Sequence, residues 1–92
     1  MYLPDTIQYK YVIADVDKFC KYVNTTPRLN VFFYLLENMD KQGRVNIPYA
    51  EIGRQLGIDY KTMYLMIKYF KKNGIINDKK GINKDIAFIS LI

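Results

Sequence analysis

The chain has no histidine and no tryptophan, and it has a single cysteine, Cys20, and a single serine, Ser90. Without histidine there is no His/Cys cluster to hold zinc. No nucleophile has an imidazole base beside it. No glycine-rich loop of the G-x-x-x-x-G-K-[ST] or G-x-G-x-x-G kind is present to cradle phosphates. Carboxylates are few and scattered. An enzyme, a resident metal and a cofactor are therefore not expected. Cys20 has no partner for an internal disulfide, which fits a reducing cytoplasm. It is expected in the core, on one side of a short helix with Val16, Phe19 and Val23. No stretch approaches the roughly 18 continuous apolar residues of a membrane span. The start M-Y-L-P-D-T lacks the basic and apolar regions of a signal peptide. A cytoplasmic protein with no membrane partner is the expectation.

What is present is an apolar fraction of 50% in 92 residues, enough for one domain with a compact core. The net charge is +5, and its location matters more than its size. Residues 1–43 carry five basic against five acidic side chains; residues 44–92 carry nine against four. All of the excess lies in the second half. A polyanionic partner at that end is the natural inference.

That half contains the stretch around which the chain is organised, Ile47 to Ile76. A helix is predicted to start near Pro48, since proline suits a first helical position, with Ile52 and Leu56 on one face. Gly57 can leave that helix with positive φ at little cost, and Ile58 plugs the corner. Asp59 is a good N-cap for a second helix, which carries Met63, Met66, Ile67 and Phe70 at helical spacing and ends at Gly74. Small Gly53 stands where the two helices should approach most closely.

Upstream, residues 6–13 alternate with a period of two, with Ile7, Tyr9, Tyr11 and Ile13 on one side, which predicts a strand. Such a strand must pair with the rest of a sheet or with a second subunit. Asp15 caps a short helix at about 16–23, and Thr26-Pro27 restarts a helix over 27–39. This second helix is apolar nearly all round, with Leu29, Val31, Phe32, Phe33, Leu35, Leu36 and Met39. Its burial is expected either inside the monomer or partly against another protomer. Asp40 to Gly43 forms a turn, and Arg44 to Ile47 a strand with Val45 and Ile47 inward. After Gly74, Ile75 to Asn77 and Asp85 to Ile89 are expected to form a hairpin around a basic loop. The predicted fold class is α+β, in the order β-α-α-β-α-α-β-β. One domain is expected over 1–92, with 1–26 as an N-terminal, dimerising extension and 27–92 as the core.

On the second helix, Lys61, Tyr64, Leu65, Lys68 and Lys72 point away from the inward face at 100° steps. A helix fits the major groove and presents its N-terminal side chains to base edges. Tyr60, Lys61, Tyr64 and Lys68 are the candidates for groove contacts. Lys79, Lys80 and Lys84, with Asn83 between them, are expected at phosphates or the minor groove. Arg54, on the outer side of the first helix, is expected at the backbone across the groove, and Lys72 at the far end of the second. No arginine sits on the reading face. Since arginine supplies the commonest guanine contact, its absence implies modest specificity per site, or readout of shape in A·T-rich DNA.

The positions Ile52, Gly53, Leu56, Gly57, Ile58, Met63 and Met66 resemble a helix-turn-helix in its winged form. The run L-L-E-N-M-D-K-Q-G-R-V-N-I-P-Y-A-E-I-G-R-Q-L-G-I-D-Y-K-T-M, from Leu35 to Met63, is similar to winged-helix proteins of Gram-positive plasmids and phages, including RepL-like replication initiators. Similar folds serve as small repressors and as centromere-binding partition proteins. Asp59-Tyr60 departs from the usual small N-cap and small residue, and the N-terminal strand is an addition. The resemblance implies binding to double-stranded DNA in repression, replication or partition, and the surplus apolar surface of the N-terminal half adds the expectation of a homodimer. A partner protein could bind the apolar N-terminal half. The rival expectation is a protein-interaction module that does not touch nucleic acid.

Overall fold

The computed structural model describes residues 11–13, 15–77, 79–83 and 89–91, with side chains placed for 15–77 and 79–83. Asp15 opens α1 (Val16–Tyr22), its carboxylate accepting from the Lys18 N–H at 3.0 Å. Thr25 opens α2 (Thr26–Asn38), one residue earlier than expected, its hydroxyl accepting from the Arg28 N–H at 3.4 Å. Each cap satisfies a backbone donor that has no partner within its helix. Phe19 of α1 meets Phe32 edge-on at 5.3 Å, and Phe32 meets Phe33 at 5.6 Å. These rings anchor α1 to α2.

The buried face of α1 differs from expectation. Phe19 and Val23 are buried, but Val16 and Cys20 are exposed. The core-facing side is rotated toward half-buried Tyr22, which carries the row Val16–Cys20 out to solvent. Helix α2 buries Val31, Phe32, Tyr34, Leu35 and Leu36 within the chain and half-buries Leu29, Phe33 and Met39. Most of its apolar circumference is therefore covered by its own chain. Tyr34 donates to Gln55 Oε1 at 3.0 Å and so ties α2 to α3. Burial, with Glu51 and Glu37 nearby, pushes the Tyr34 phenol above its ordinary range, which keeps it a donor.

Helices α3 (Tyr49–Leu56) and α4 (Tyr60–Lys72) pack on one another. Gly57 takes φ +70, and the Ile58 N–H reaches back to Gly53 O at 2.7 Å. That six-to-one bond closes α3 in a tight left-handed turn. Met63, Met66, Ile67 and Phe70 are all buried, as the spacing predicts. At the other end of α4, Gly74 takes φ +73 while the Ile75 N–H bonds to Phe70 O at 2.8 Å. No helix among the described residues is long and apolar enough to cross a membrane.

The α+β order β-α-α-β-α-α-β-β does not hold. The described residues form four helices and two strands of three residues each, in the order β1 (Tyr11–Ile13), α1, α2, α3, α4, β2 (Ile89–Leu91). The expected strands at 44–47 and 75–77 shrink to the isolated bridges Arg44↔Lys80 and Ile76↔Ile82. Of the expected strand at 85–89, residues 85–88 lie outside the described residues. Ile89 begins β2, which pairs antiparallel with β1 in the register Tyr11↔Leu91, not with 75–77. The same limit applies to residues 6–10 of the expected first strand. The described residues are thus mostly helical, and the several strands of a winged architecture are not formed among them. The physical reason lies in the punctuation. Left-handed Gly43 and rigid Pro48 bound one short segment, and left-handed Gly74 and Lys80 bound the other. Each ladder breaks after a single pair.

Candidate nucleic-acid interface

The outward face of α4 is set by the residues that hold its inward face. Asp59 fixes the start: its carboxylate accepts from the Thr62 N–H at 2.9 Å and the Thr62 hydroxyl at 2.8 Å. Those bonds, the backbone one first, hold its pKa below the ordinary carboxylate range. With Met63, Met66, Ile67 and Phe70 inside, Tyr60, Lys61, Tyr64, Leu65, Lys68, Lys71 and Lys72 lie exposed. Tyr60, Tyr64 and Leu65 are each more than half exposed, an aromatic and apolar row among lysines. Lys61 sits in the first turn, where the helix dipole disfavours a cation. Its place is therefore not explained by helix stability. Lys71 and Lys72, in the last turn, would stabilise α4 even without a partner.

Next to α4 lies the loop 77–83, stitched to the turn 40–45. The Asn77 side chain accepts from the Lys79 and Gly81 N–H groups at 2.9 and 3.0 Å and donates to Gly43 O at 3.2 Å. Val45 N–H donates to Lys79 O at 3.1 Å. A Cβ on Gly81 would fall 1.8 Å from Gly43 O, so only glycine permits this contact. The stitching carries exposed Lys79 and half-buried Lys80 to the same side as Arg44, around a shallow depression of about 350 Å³ that also meets Asn46 and Pro48. A second groove, about 200 Å³, runs between Tyr49 and Tyr64, Ile67, Lys68 and Lys71 of α4. Tyr49 stands between the two. Lys80 Nζ lies 4.8 Å and Lys71 Nζ 6.0 Å from its ring centroid.

The expected residues therefore fall into three groups. Tyr60, Lys61, Tyr64, Lys68 and Lys72 share the exposed face of α4, and Lys79 and Lys80 flank it. Arg54 and Asn83 are engaged inside the chain. The Arg54 guanidinium grips the Glu51 carboxylate with both Nε, at 2.9 Å, and Nη2, and the pairing lowers the Glu51 pKa. Asn83 donates its amide to Gly74 O at 3.2 Å and its backbone N–H to Ile75 O at 2.8 Å. Lys84 lies outside the described residues. Sequence reasoning missed Lys71, Tyr49, Arg44 and Arg28. Lys71 had a signal, since it is two helical turns from Tyr64. Arg28 stacks on Tyr69 of α4 at 3.8 Å and bonds to Asn24 Oδ1 at 2.7 Å. That contact depends on the packing of α2 against α4 and has no local signature.

No protein-family model, curated protein or solved structure matches the chain.

Proposed function

We propose that the protein binds double-stranded DNA, with α4 in the major groove and the Lys79–Lys80 loop against flanking phosphates. The observation that carries this reading is the exposed face of α4. The ion pairs Asp40–Arg44 and Glu51–Arg54 lie elsewhere. Among the described residues, no carboxylate forms an ion pair with Lys61, Lys68, Lys71, Lys72, Lys79 or Lys80. Six cations on and beside one helix, none ion-paired among the described residues, raise the local potential for a polyanion. Tyr60 and Tyr64 offer rings to thymine methyls or sugars and hydroxyls to phosphates. The charge balance of the whole chain agrees, because the entire +5 arises from residues 44–92.

The role that fits is a non-enzymatic one: a dimeric repressor, or a replication or partition protein of a plasmid or phage. The likeness of Leu35–Met63 to such DNA-binding proteins supports it. The mechanism is occupancy, with two copies of α4 about one helical turn apart in successive major grooves. A gel shift on DNA from the gene's own upstream region, run at rising salt, tests it. Retention that falls steeply with salt is expected, and no retention at low salt overturns the reading.

One observation favours a second reading. Tyr60, Tyr64 and Leu65 would also suit a protein partner, since exposed aromatic anchors are typical of such interfaces. A partner docked there would leave the lysines dispensable, so charge reversal on α4 separates the two.

A further inference from the structure

The cations near α4 are held in two chemically different ways. Arg44 and Arg54 are held by carboxylates, Asp40 and Glu51. Each is fixed in place and neutralised by the same contact. Lys71 and Lys80 are held by the ring of Tyr49, at 6.0 and 4.8 Å from its centroid. An aromatic face attracts a cation through its quadrupole but carries no net charge. These two lysines therefore lose rotamer freedom without losing charge. Ordering a free lysine on a ligand ordinarily costs much of its side-chain entropy. Here part of that cost is met on folding.

We propose that Tyr49 positions Lys71 and Lys80 as a preorganised clamp for the DNA phosphate backbone at the edge of the groove occupied by α4. The inference rests on the DNA-binding reading and deepens it. The two lysines come from segments that only the fold brings together, the last turn of α4 and the loop 77–83. Tyr49 opens α3 between them, with the Lys68–Tyr64 groove on one side and the Arg44–Lys79 depression on the other. The Tyr49 hydroxyl is buried with no hydrogen-bond partner among the described residues. Its removal breaks no described hydrogen bond, and the ring face is what the two lysines meet. The clamp is a phosphodiester site, which gives affinity and register and carries no base information.

The test is the salt dependence of binding to a duplex, by fluorescence anisotropy, for the wild type, K71Q/K80Q, Y49L and Y49F. Each phosphate contact contributes a log–log slope of about −0.9. The double variant is expected to have a slope shallower by about 1.8, with unchanged preference between A·T-rich and G·C-rich duplexes. Y49L is expected to bind about fivefold more weakly through loss of both cation–π contacts, and Y49F to match the wild type because the ring remains. Thermal melts of each variant separate loss of the fold from loss of the clamp, and K71Q/K80Q removes both charges while keeping polar side chains. A wild type that binds DNA while K71Q/K80Q keeps its full slope overturns the clamp alone. A wild type that binds no duplex at low salt overturns the DNA reading and the clamp with it.

Discussion

Gly53 of α3 packs tightly against the turn and the first residues of α4. A Cβ there would lie 2.5 Å from Ile58 O and 2.9 Å from Met63 Cγ. The Met63 side chain can move, but the Ile58 carbonyl is backbone in the turn that orients α4. Gly53→Ala is therefore expected to cost about 1–3 kcal/mol by overpacking, seen as a lower Tm of several degrees; an unchanged melt would mean that the approach is looser than described. Asp59 makes a prediction of another kind. Its folded pKa is depressed by the Thr62 bonds, as are those of Asp40 by the Arg44 N–H and of Glu51 by Arg54. A depressed carboxylate contributes stability that is complete above its unfolded pKa, about 4, and lost as pH falls through the lower folded value. Stability should thus be flat near neutrality and decline below about pH 4. Asp59→Asn keeps the cap oxygen but removes the titration, so its melting temperature should fall less steeply over that range. An acid profile identical to the wild type's would remove Asp59 from this account.

Helix α4 owes its orientation to its caps and its four buried residues, and its proposed chemistry to what remains outside. Lys61→Gln or Lys68→Gln should each make the salt slope of DNA binding shallower by about 0.9. Arg54→Gln should leave it unchanged, because that guanidinium is already engaged by Glu51; equal effects from all three would contradict the distinction. The helices were legible because each carries its own instructions: Asp15, Gly57, Asp59 and Gly74 mark ends, and the period of Met63, Met66, Ile67 and Phe70 fixes a face. The strands were not. Alternation at Arg44–Ile47 and the run Ile75–Asn77 suit a ladder locally, yet the flanking left-handed residues and Pro48 allow one bridge each. Proximity in sequence favours a hairpin of Asp85–Ile89 with 75–77, whereas Ile89, the one residue of that segment among the described residues, begins a strand that pairs with Tyr11–Ile13. Tyr49 illustrates what no local pattern reveals. Its ring gains a role only when the last turn of α4 and the 77–83 loop meet over it.

Among the described residues, the electroneutral half 1–43 contributes Phe19, Val23, Val31, Phe32, Leu35 and Leu36 to the core, and the basic half 44–92 exposes Lys61, Lys68, Lys71, Lys72 and Lys79. The proposed dimer draws on the first half, where Leu29, Phe33 and Met39 of α2 stay half-buried and Val16 is exposed. Light scattering at high protein concentration should give twice the 10.9 kDa chain mass; a monomer mass would refute dimerisation. Without arginine on the α4 face, discrimination should rest on DNA shape, so A·T-rich duplexes should bind more tightly than G·C-rich ones of equal length. The central claim is that the lysines on and beside α4 bind DNA. It is tested most directly by duplex retention of the triple charge reversal K61E/K68E/K80E, compared with the wild type at low salt, with circular dichroism confirming the fold. The folded triple variant should lose retention; full retention by that variant would contradict DNA binding through these lysines.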